Sequence, residues 1–188
     1  LEGVRVVDLT HYFSGPYCTK LLATLGAEVV KIERPYAGDP VRRLGPFCET
    51  LTPASGHPSP QGQGEGAREL ESGAGFLHLN TSKKSLTLDL KSGPGRDILR
   101  QLARTADIVV ENFAPGTIDG LGLGYSDLHQ ANRALVMTSI SNYGQSGPYR
   151  DWKAAEINLY AAGGLMNITG EPDREPLKEG SPLAQLCA

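Results

Sequence analysis

The side chains best placed to do chemistry sit where apolar runs stop. His11, Tyr12, Phe13 and Ser14 follow the run Val4–Leu9, and Glu33 and Arg34 close a second run, Glu28–Glu33. Two aromatic rings and a guanidinium suit a flat heterocycle and a phosphate. The ring faces offer stacking, and the planar fork of the arginine matches phosphate oxygens. A dinucleotide site would want G-x-G-x-x-G in this first turn, so that the backbone can approach a pyrophosphate. The turn reads THYFSGP and holds only Gly15, which sets a nicotinamide dinucleotide aside.

The elements that must position these residues follow from periodicity. Val4–Leu9 is short and rich in β-branched residues, as a strand buried on both faces requires. Ser14-Gly15-Pro16 breaks it and feeds a helix, along which Tyr17, Leu21, Leu22 and Leu25 recur at helical spacing. Gly26 stands where a helix C-cap belongs, and Glu28–Glu33 reads as the next strand. Strand, helix and strand of these lengths make a right-handed parallel unit. Ligands of such sheets bind beyond the carboxyl ends of the strands, so His11–Ser14 and Glu33–Arg34 are expected to share one mouth.

The alternation continues downstream. Leu86, Leu88 and Leu90 alternate with Thr87 and Asp89 in an expected strand Ser85–Leu90. Gly93–Arg104 reads as a helix with Pro94 near its first turn. Ile108–Glu111 is a third buried strand ending in Asn112–Gly116, and Leu135–Ile140 is another, ending in Ser141–Gly144. A further helix is expected to open over Trp152–Tyr160. Together these predict an α/β fold, a Rossmann-like doubly wound parallel sheet whose polar turns build a composite site. One stretch breaks the pattern. Cys48–Gly75 is rich in Gly, Pro, Ser, Gln and Glu without apolar periodicity, and reads as a mobile loop that carries a solvated His57.

Composition bounds the partners. With 188 residues and a net charge of −3, the chain gives no electrostatic reason to propose nucleic acid. No apolar run approaches the roughly 18 residues of a membrane span, and the first residues do not resemble a signal peptide. Cys18, Cys48 and Cys187 are far apart and show no C-x-x-C spacing, which favours a reduced, cytoplasmic setting. No His, Cys and carboxylate set has metal-ligand spacing, so no metal is expected. His11 is read either as an acid–base group or as a structural turn residue. His78, between Leu77 and Leu79, is expected to pack, and His129 to lie on a polar helix face.

The same residues carry a family resemblance. The opening VVDLT…GPYCTKLLATLGAEVVKIERP resembles the class III CoA-transferases, which include formyl-CoA:oxalate and carnitine CoA-transferases. The likeness runs on through Gly38–Arg42, Leu79–Lys91, Ala106–Tyr125, Ser139–Asp151 and Ala162–Pro172. It implies movement of CoA from an acyl-CoA thioester to a carboxylic acid, with CoA or acyl-CoA as substrate. It also implies an interlocked homodimer and a chain about twice this long. Residues 1–188 are then expected to be the N-terminal part of the CoA-binding domain, with a smaller domain and a returning segment lying further on.

Site residues follow from the resemblance one at a time. Tyr12 and Phe13 match a nucleotide-contacting turn, and Arg34 matches an arginine suited to a phosphate. Leu79, Asn80, Thr81 and Ser82 match a CoA-contacting block. Lys83 and Lys84 beside it either steer the phosphates or face water. Asn112 and Phe113 match a further CoA-contacting turn, with Phe113 also able to plug the core. Tyr143 is read either as a partner of a substrate carbonyl or as packing. Two cationic family positions are Gly120 and Ser141 here, which leaves Arg42, Arg43 or Lys83 to supply the charge.

The catalytic position departs from the pattern. The family uses an Asp carboxylate that attacks the thioester and passes through an enzyme-bound anhydride. That Asp corresponds to Gln185, an amide and a very poor nucleophile. The racemase branch uses a His and an Asp, which fall at Ala155, beside Glu156, and again at Gln185. Three readings stay open. Glu171, Asp173, Glu175 or Glu179 supplies the carboxylate, or the chain handles acyl-CoA thioesters with a different residue, for example one beyond Ala188, or it binds CoA esters without turning them over. In the last two cases it is an acyl-CoA enzyme of changed chemistry or an acyl-CoA-binding protein. An amide at Gln185 is still able to donate a hydrogen bond to a thioester carbonyl.

Overall fold

Residues 1–47 and 72–187 are described in the computed structural model. Five strands form one parallel sheet: β1 (Arg5–Asp8), β2 (Glu28–Glu33), β3 (Lys84–Thr87), β4 (Ile108–Glu111) and β5 (Val136–Ser139). Their spatial order is β3-β2-β1-β4-β5, so the direction of winding reverses between β1 and β4. In the register Val6 stands opposite both Val29 and Ile108, and Asp8 opposite Lys31 and Val110. Gaps between the end of one strand and the start of the next open at such a reversal, and ligands bind there.

Alternation along the strands feeds two separate cores. Val6, Val29 and Val110 point to one face, where they meet Ala23 and Ala27 at the end of helix α1 (Ser14–Thr24). Val7, Ile32 and Val109 point to the other. There they pack on Leu99 and Ala103 of α3 (Gly93–Thr105), on Ile118 of the short α4 (Thr117–Gly120) and on Leu128 of α5 (Tyr125–Ala131). The sheet is therefore covered on both sides, as the alternation of strands and helices predicts. A small third cluster of Val41, Phe76 and Leu79 lies between a 3-10 turn at Pro40–Arg43 and α2 (Ala74–Leu79).

Local chemistry sets the helix starts. Ser92 caps α3, its hydroxyl accepting from the Gly95 amide at 3.1 Å, and Pro94 occupies the first turn where no amide is needed. Helix α1 starts without a side-chain cap, but Gly15 lets it approach the end of β1 closely. A Cβ at Gly15 would stand 2.3 Å from the Cβ of Thr10. Past the end of α1, Gly26 adopts φ of 98° and lets the chain turn into β2.

Several expectations shift. The apolar spacing of α1 does not mark its buried face: Gly15, Pro16, Thr19 and Ala23 are buried, whereas Leu21 and Leu25 are exposed. The strand expected at Ser85–Leu90 runs from Lys84 to Thr87, with Leu88 buried beyond it. The helix expected from Trp152 begins at Glu156, as α6 (Glu156–Ala162), because the amide of Ala155 is first capped by Asn158 Oδ1 at 2.9 Å. Of the stretch expected as a mobile loop, residues 48–71, with Cys48 and His57, lie outside the described residues. Its end is regular: Gly73 bridges to Phe47, and Ala74 and Gly75 open α2. Among the described residues no helix is long and apolar enough to cross a membrane.

Gly15→Ala is expected to cost about 1–3 kcal/mol, because the added methyl has no room against Thr10. Urea denaturation of the full-length protein checks this, and an unchanged midpoint would contradict the close approach.

Candidate functional site

The turn after β1 is fixed from three directions. The Thr10 amide and hydroxyl donate to Asp8 Oδ1 at 2.9 and 2.5 Å, and the Thr10 carbonyl accepts from Lys31 Nζ at 2.9 Å. The His11 amide donates to Asn112 Oδ1 at 2.9 Å, while Asn112 Nδ2 donates back to the His11 carbonyl at 2.7 Å. This reciprocal clamp spans the reversal point, joining the turn after β1 to the turn after β4. The Tyr12 amide donates to Asp39 Oδ1 at 3.3 Å. Tyr12 itself adopts φ of 65°, a left-handed conformation that costs a non-glycine residue energy and persists only when neighbours hold it.

The clamp opens a mouth of about 250 Å³ lined by His11, Tyr12, Arg34, Pro40, Asn112 and Phe113. Tyr12 is half exposed there, and Arg34 is exposed at the end of β2. Among the described residues Arg34 makes no ion pair and no side-chain hydrogen bond. No described residue neutralises its charge, unlike that of Arg42. The Phe113 amide donates to Glu111 Oε2 at 2.7 Å, which aims that turn at the mouth. Burial pushes the His11 imidazole below its ordinary pKa, against the pull of Asp39, so the ring is neutral at neutral pH. Its Nε2 is buried without a hydrogen-bond partner among the described residues, and the ring lies tilted 6.0 Å from that of Phe113.

Below the mouth lies a charged layer that the sequence reading did not find. Asp8 is fully buried, and its Oδ2 accepts from Thr19 Oγ1 at 2.6 Å and from Lys83 Nζ at 3.0 Å. Lys31 Nζ pairs with Asp39 Oδ2 at 3.0 Å, both side chains almost wholly buried. Glu33 receives Arg42 in a fork, from Nη2 at 2.6 Å and from Nε at 2.8 Å. The Arg42 guanidinium in turn covers the ring of Phe76 at 3.6 Å. The signal was present in Asp8, Lys31 and Glu33, which interrupt apolar runs at every second position on one strand face.

The expected site residues divide into two groups. His11, Tyr12, Arg34, Asn112 and Phe113 come together at the mouth. Phe13 instead packs against the cluster of Val41, Phe76 and Leu79, and Leu79 is buried within it. Lys83 neither steers phosphates nor faces water. Its ammonium is held by Asp8, the Pro16 carbonyl, Thr19 and Asn80, which places it inside the protein. Lys84 is exposed and pairs with Glu28. Asn80 bonds Phe76 and Lys83, and the Thr81 hydroxyl turns back on the Leu77 carbonyl. Ser82 is exposed at φ of 64°.

Arg42 is committed to Glu33, and Arg43 donates to the Ala37 carbonyl. Neither is a free substitute for the lost cations. Arg150, not singled out from the sequence, has its Nη2 3.5 Å from where a Cβ of Gly116 would stand, but its Nη1 pairs with Asp151 at 3.4 Å. Tyr143 sits in an aromatic group with Tyr149 and Trp152. His78 does not pack in the core: it is exposed, with Lys20 Nζ 2.8 Å from its Nε2. Burial and the Asp8 charge raise the Cys18 thiol, which keeps it protonated and unreactive. Among the described residues no group of three or more His, Cys, Asp or Glu is placed to hold a metal.

The fold and this mouth have counterparts in known proteins. The profile of CoA-transferase family III matches residues 1–188, and the chain belongs to that family. A succinate–glutarate CoA-transferase of Agrobacterium fabrum is 37% identical over 187 residues, 99% of this chain and 43% of that protein. A formyl-CoA:oxalate CoA-transferase of Streptomyces avermitilis is 40% identical over 183 residues, 97% of this chain and 39% of that protein. The crystal structure of a CAIB/BAIF family protein from Brucella suis superposes with a TM-score of 0.84 at 36% identity, covering 98% of this chain and 44% of that one. The chain thus spans about two fifths of the length of the curated relatives it matches.

The buried pairs make stability depend on pH. Burial alone would raise Asp8 and Glu33. For Asp8 the charges of Lys31 and Lys83, and for Glu33 the bonds from Arg42, outweigh it and hold both carboxyls below their ordinary range. The folded chain therefore binds fewer protons than the unfolded one in acid. Stability is intact above the unfolded value of about 4 and is lost as pH falls through the folded values. Lys83 is pushed down to about 8 by burial, against the attraction of Asp8. Its penalty is present below pH 8 and is relieved between pH 8 and the unfolded value of about 10.4. Asp8→Asn is expected to cost about 3–5 kcal/mol, since it strands the Lys83 ammonium, and to flatten the acid limb of the stability profile. Denaturation midpoints of the full-length protein between pH 3 and 10 (about that span, set by the reference values) check both effects.

Proposed function

We propose that the full-length protein transfers CoA from an acyl-CoA thioester to a carboxylic acid, and that this chain supplies the nucleotide end of the CoA site. The observation that carries the reading is the mouth at the strand reversal, where Arg34, unpaired among the described residues, shares the lining with Tyr12, Phe113 and the His11–Asn112 clamp. An aromatic ring beside a free guanidinium is the chemistry an adenine and a phosphate need. Relatives that bear the names of CoA-transferases over the same residues support it.

The roles divide accordingly. Tyr12 and Phe113 flank the base, Arg34 binds phosphate, and Asn112 holds the turn in place. Leu79–Ser82 form the shoulder of the site through the α2–β3 connection, with Lys83 as the internal strut of that connection. Phe13 supports Tyr12 from beneath, and Tyr143 lies further along the same edge. A mouth of about 250 Å³ is smaller than the several hundred Å³ usual for a complete ligand pocket, so it takes one end of CoA. The acyl end is then completed elsewhere, in keeping with a longer chain that interlocks with a second copy. The exposed apolar residues Trp152, Ile157, Ile168 and Leu177 suit burial in such a homodimer. A cytoplasmic setting fits widely spaced cysteines, of which Cys18 and Cys187 are free.

The test is calorimetric titration of CoA and acetyl-CoA into the full-length protein. Arg34→Ala is expected to weaken CoA by roughly 10- to 100-fold, the worth of a hydrogen bond to a charged group. Dephospho-CoA then distinguishes which phosphate Arg34 serves. A folded wild-type protein that binds neither ligand would contradict the reading.

A further inference from the structure

The position expected to carry the nucleophilic Asp is Gln185, in the short helix α7 (Leu183–Leu186). Its amide cannot form an anhydride, yet a carboxylate stands beside it. Glu156, the first residue of α6, reaches across to α7, and its Oε1 accepts from the amide of Ala184 at 2.7 Å. Ala184 is the residue immediately before Gln185. The other carboxylate oxygen, Glu156 Oε2, is buried and has no hydrogen-bond partner among the described residues. A carboxylate whose only task was to hold α7 would be served by one oxygen, and would ordinarily turn the second to water or to a donor. The other acidic candidates, Glu171, Asp173, Glu175 and Glu179, are all exposed on the segment that leads to α7. Gln185 is half-buried, and its amide makes no side-chain hydrogen bond among the described residues.

We propose that Glu156 is the nucleophilic carboxylate of this protein, with the Gln185 amide as donor to the thioester carbonyl. This inference rests on the transferase reading above. The anchored Oε1 fixes the group, and the unpartnered Oε2 carries the attacking lone pair. Oε2 adds to the thioester carbonyl carbon, the C–S bond breaks, and its electron pair leaves with CoA as the thiolate. The product is a mixed anhydride between Glu156 and the donor acid. The thiolate then adds to the Glu156 carbonyl carbon and expels the donor acid as its carboxylate, leaving CoA on Glu156 as a thioester. The acceptor carboxylate repeats these two steps in reverse, so CoA leaves on the acceptor and Glu156 returns as a carboxylate. No proton is gained or lost overall, and nothing is oxidised. The negative charge that develops on the carbonyl oxygen in each addition is where the Gln185 N–H acts.

The experiment traps the intermediate in the full-length protein. The protein is incubated with succinyl-CoA or formyl-CoA, the donors named in its relatives, in the presence of hydroxylamine, and its peptides are then mapped by mass spectrometry. A hydroxamate on Glu156 is the expected result, and a hydroxamate on any other carboxylate overturns the proposal. Glu156→Gln is expected to lower kcat by about 10³-fold or more while CoA affinity, read by calorimetry, stays within about twofold. Glu156→Asp keeps a carboxylate and should retain a measurable tag at residue 156. Should the Gln variant fail to fold, the tag in the wild-type protein decides alone. Wild-type turnover with Glu156→Gln equally active sinks the Glu156 assignment and leaves the transferase reading standing. A wild-type protein that binds CoA but exchanges none with either donor overturns both.

Discussion

The Asp8 carboxylate is the constraint on which the rest of the structure turns. It ends β1 at the level where that face of the sheet changes character. Below it Val6 and Val29 pack against α1, and from its own level onward Asp8, Lys31 and Glu33 point into the same layer. Through Thr10 it fixes the turn of the mouth, through Thr19 it fixes α1, and through Lys83 it fixes the connection into β3. The turn, α1 and the distant connection into β3 thus meet on two oxygens. Buried ion pairs of this kind add little stability over an apolar core of equal volume. What they supply here is placement, because each partner has only one position in which its charge is neutralised.

That layer explains where the sequence was readable and where it was not. Glu28–Glu33 and Ile108–Glu111 were read to the residue, since β-branched runs bounded by turns have little else to be. The parallel, two-sided sheet followed from the alternation of strands and helices. Helix α1 misled because its leucines are not its core. Its buried face is made of small residues and Thr19, chosen to sit close over β1 and to reach Asp8, while Leu21 and Leu25 face outward. Hydropathy alone ranks Leu above Thr and Gly, so close approach is invisible to it. Lys83 failed for a related reason: a lysine beside a second lysine reads as surface, and only the fold brings Asp8, Thr19 and Asn80 around its ammonium.

The site was legible at its edges. The rule that ligands gather beyond carboxyl ends placed His11, Tyr12 and Arg34 at one mouth before any geometry was known, and Asn112 and Phe113 join them. The clamp between His11 and Asn112 was not foreseeable, because it uses the His11 backbone rather than its ring. Glu156 was noticed only as the neighbour of Ala155. Its reach to α7 depends on how α6 and α7 pack, which no spacing in the sequence encodes.

The clamp also settles how this mouth can recognise an anion. A glycine-rich phosphate loop works by leaving several backbone N–H groups free to converge on the ligand. Here the amides of Thr10, His11 and Tyr12 are spent on Asp8, Asn112 and Asp39, and that of Phe113 on Glu111. The same bonds that let a bulky tyrosine occupy a left-handed turn take these four amides out of reach of a phosphate. The proposed recognition then draws on side-chain charge at the rim, from Arg34 beside the exposed ring of Tyr12. Charges at an exposed rim are screened by salt where convergent buried amides are not. A rigid turn that spends these amides thus trades part of a nest of dipoles for side-chain charge, and an anion held as proposed at this mouth is expected to bind more weakly as ionic strength rises.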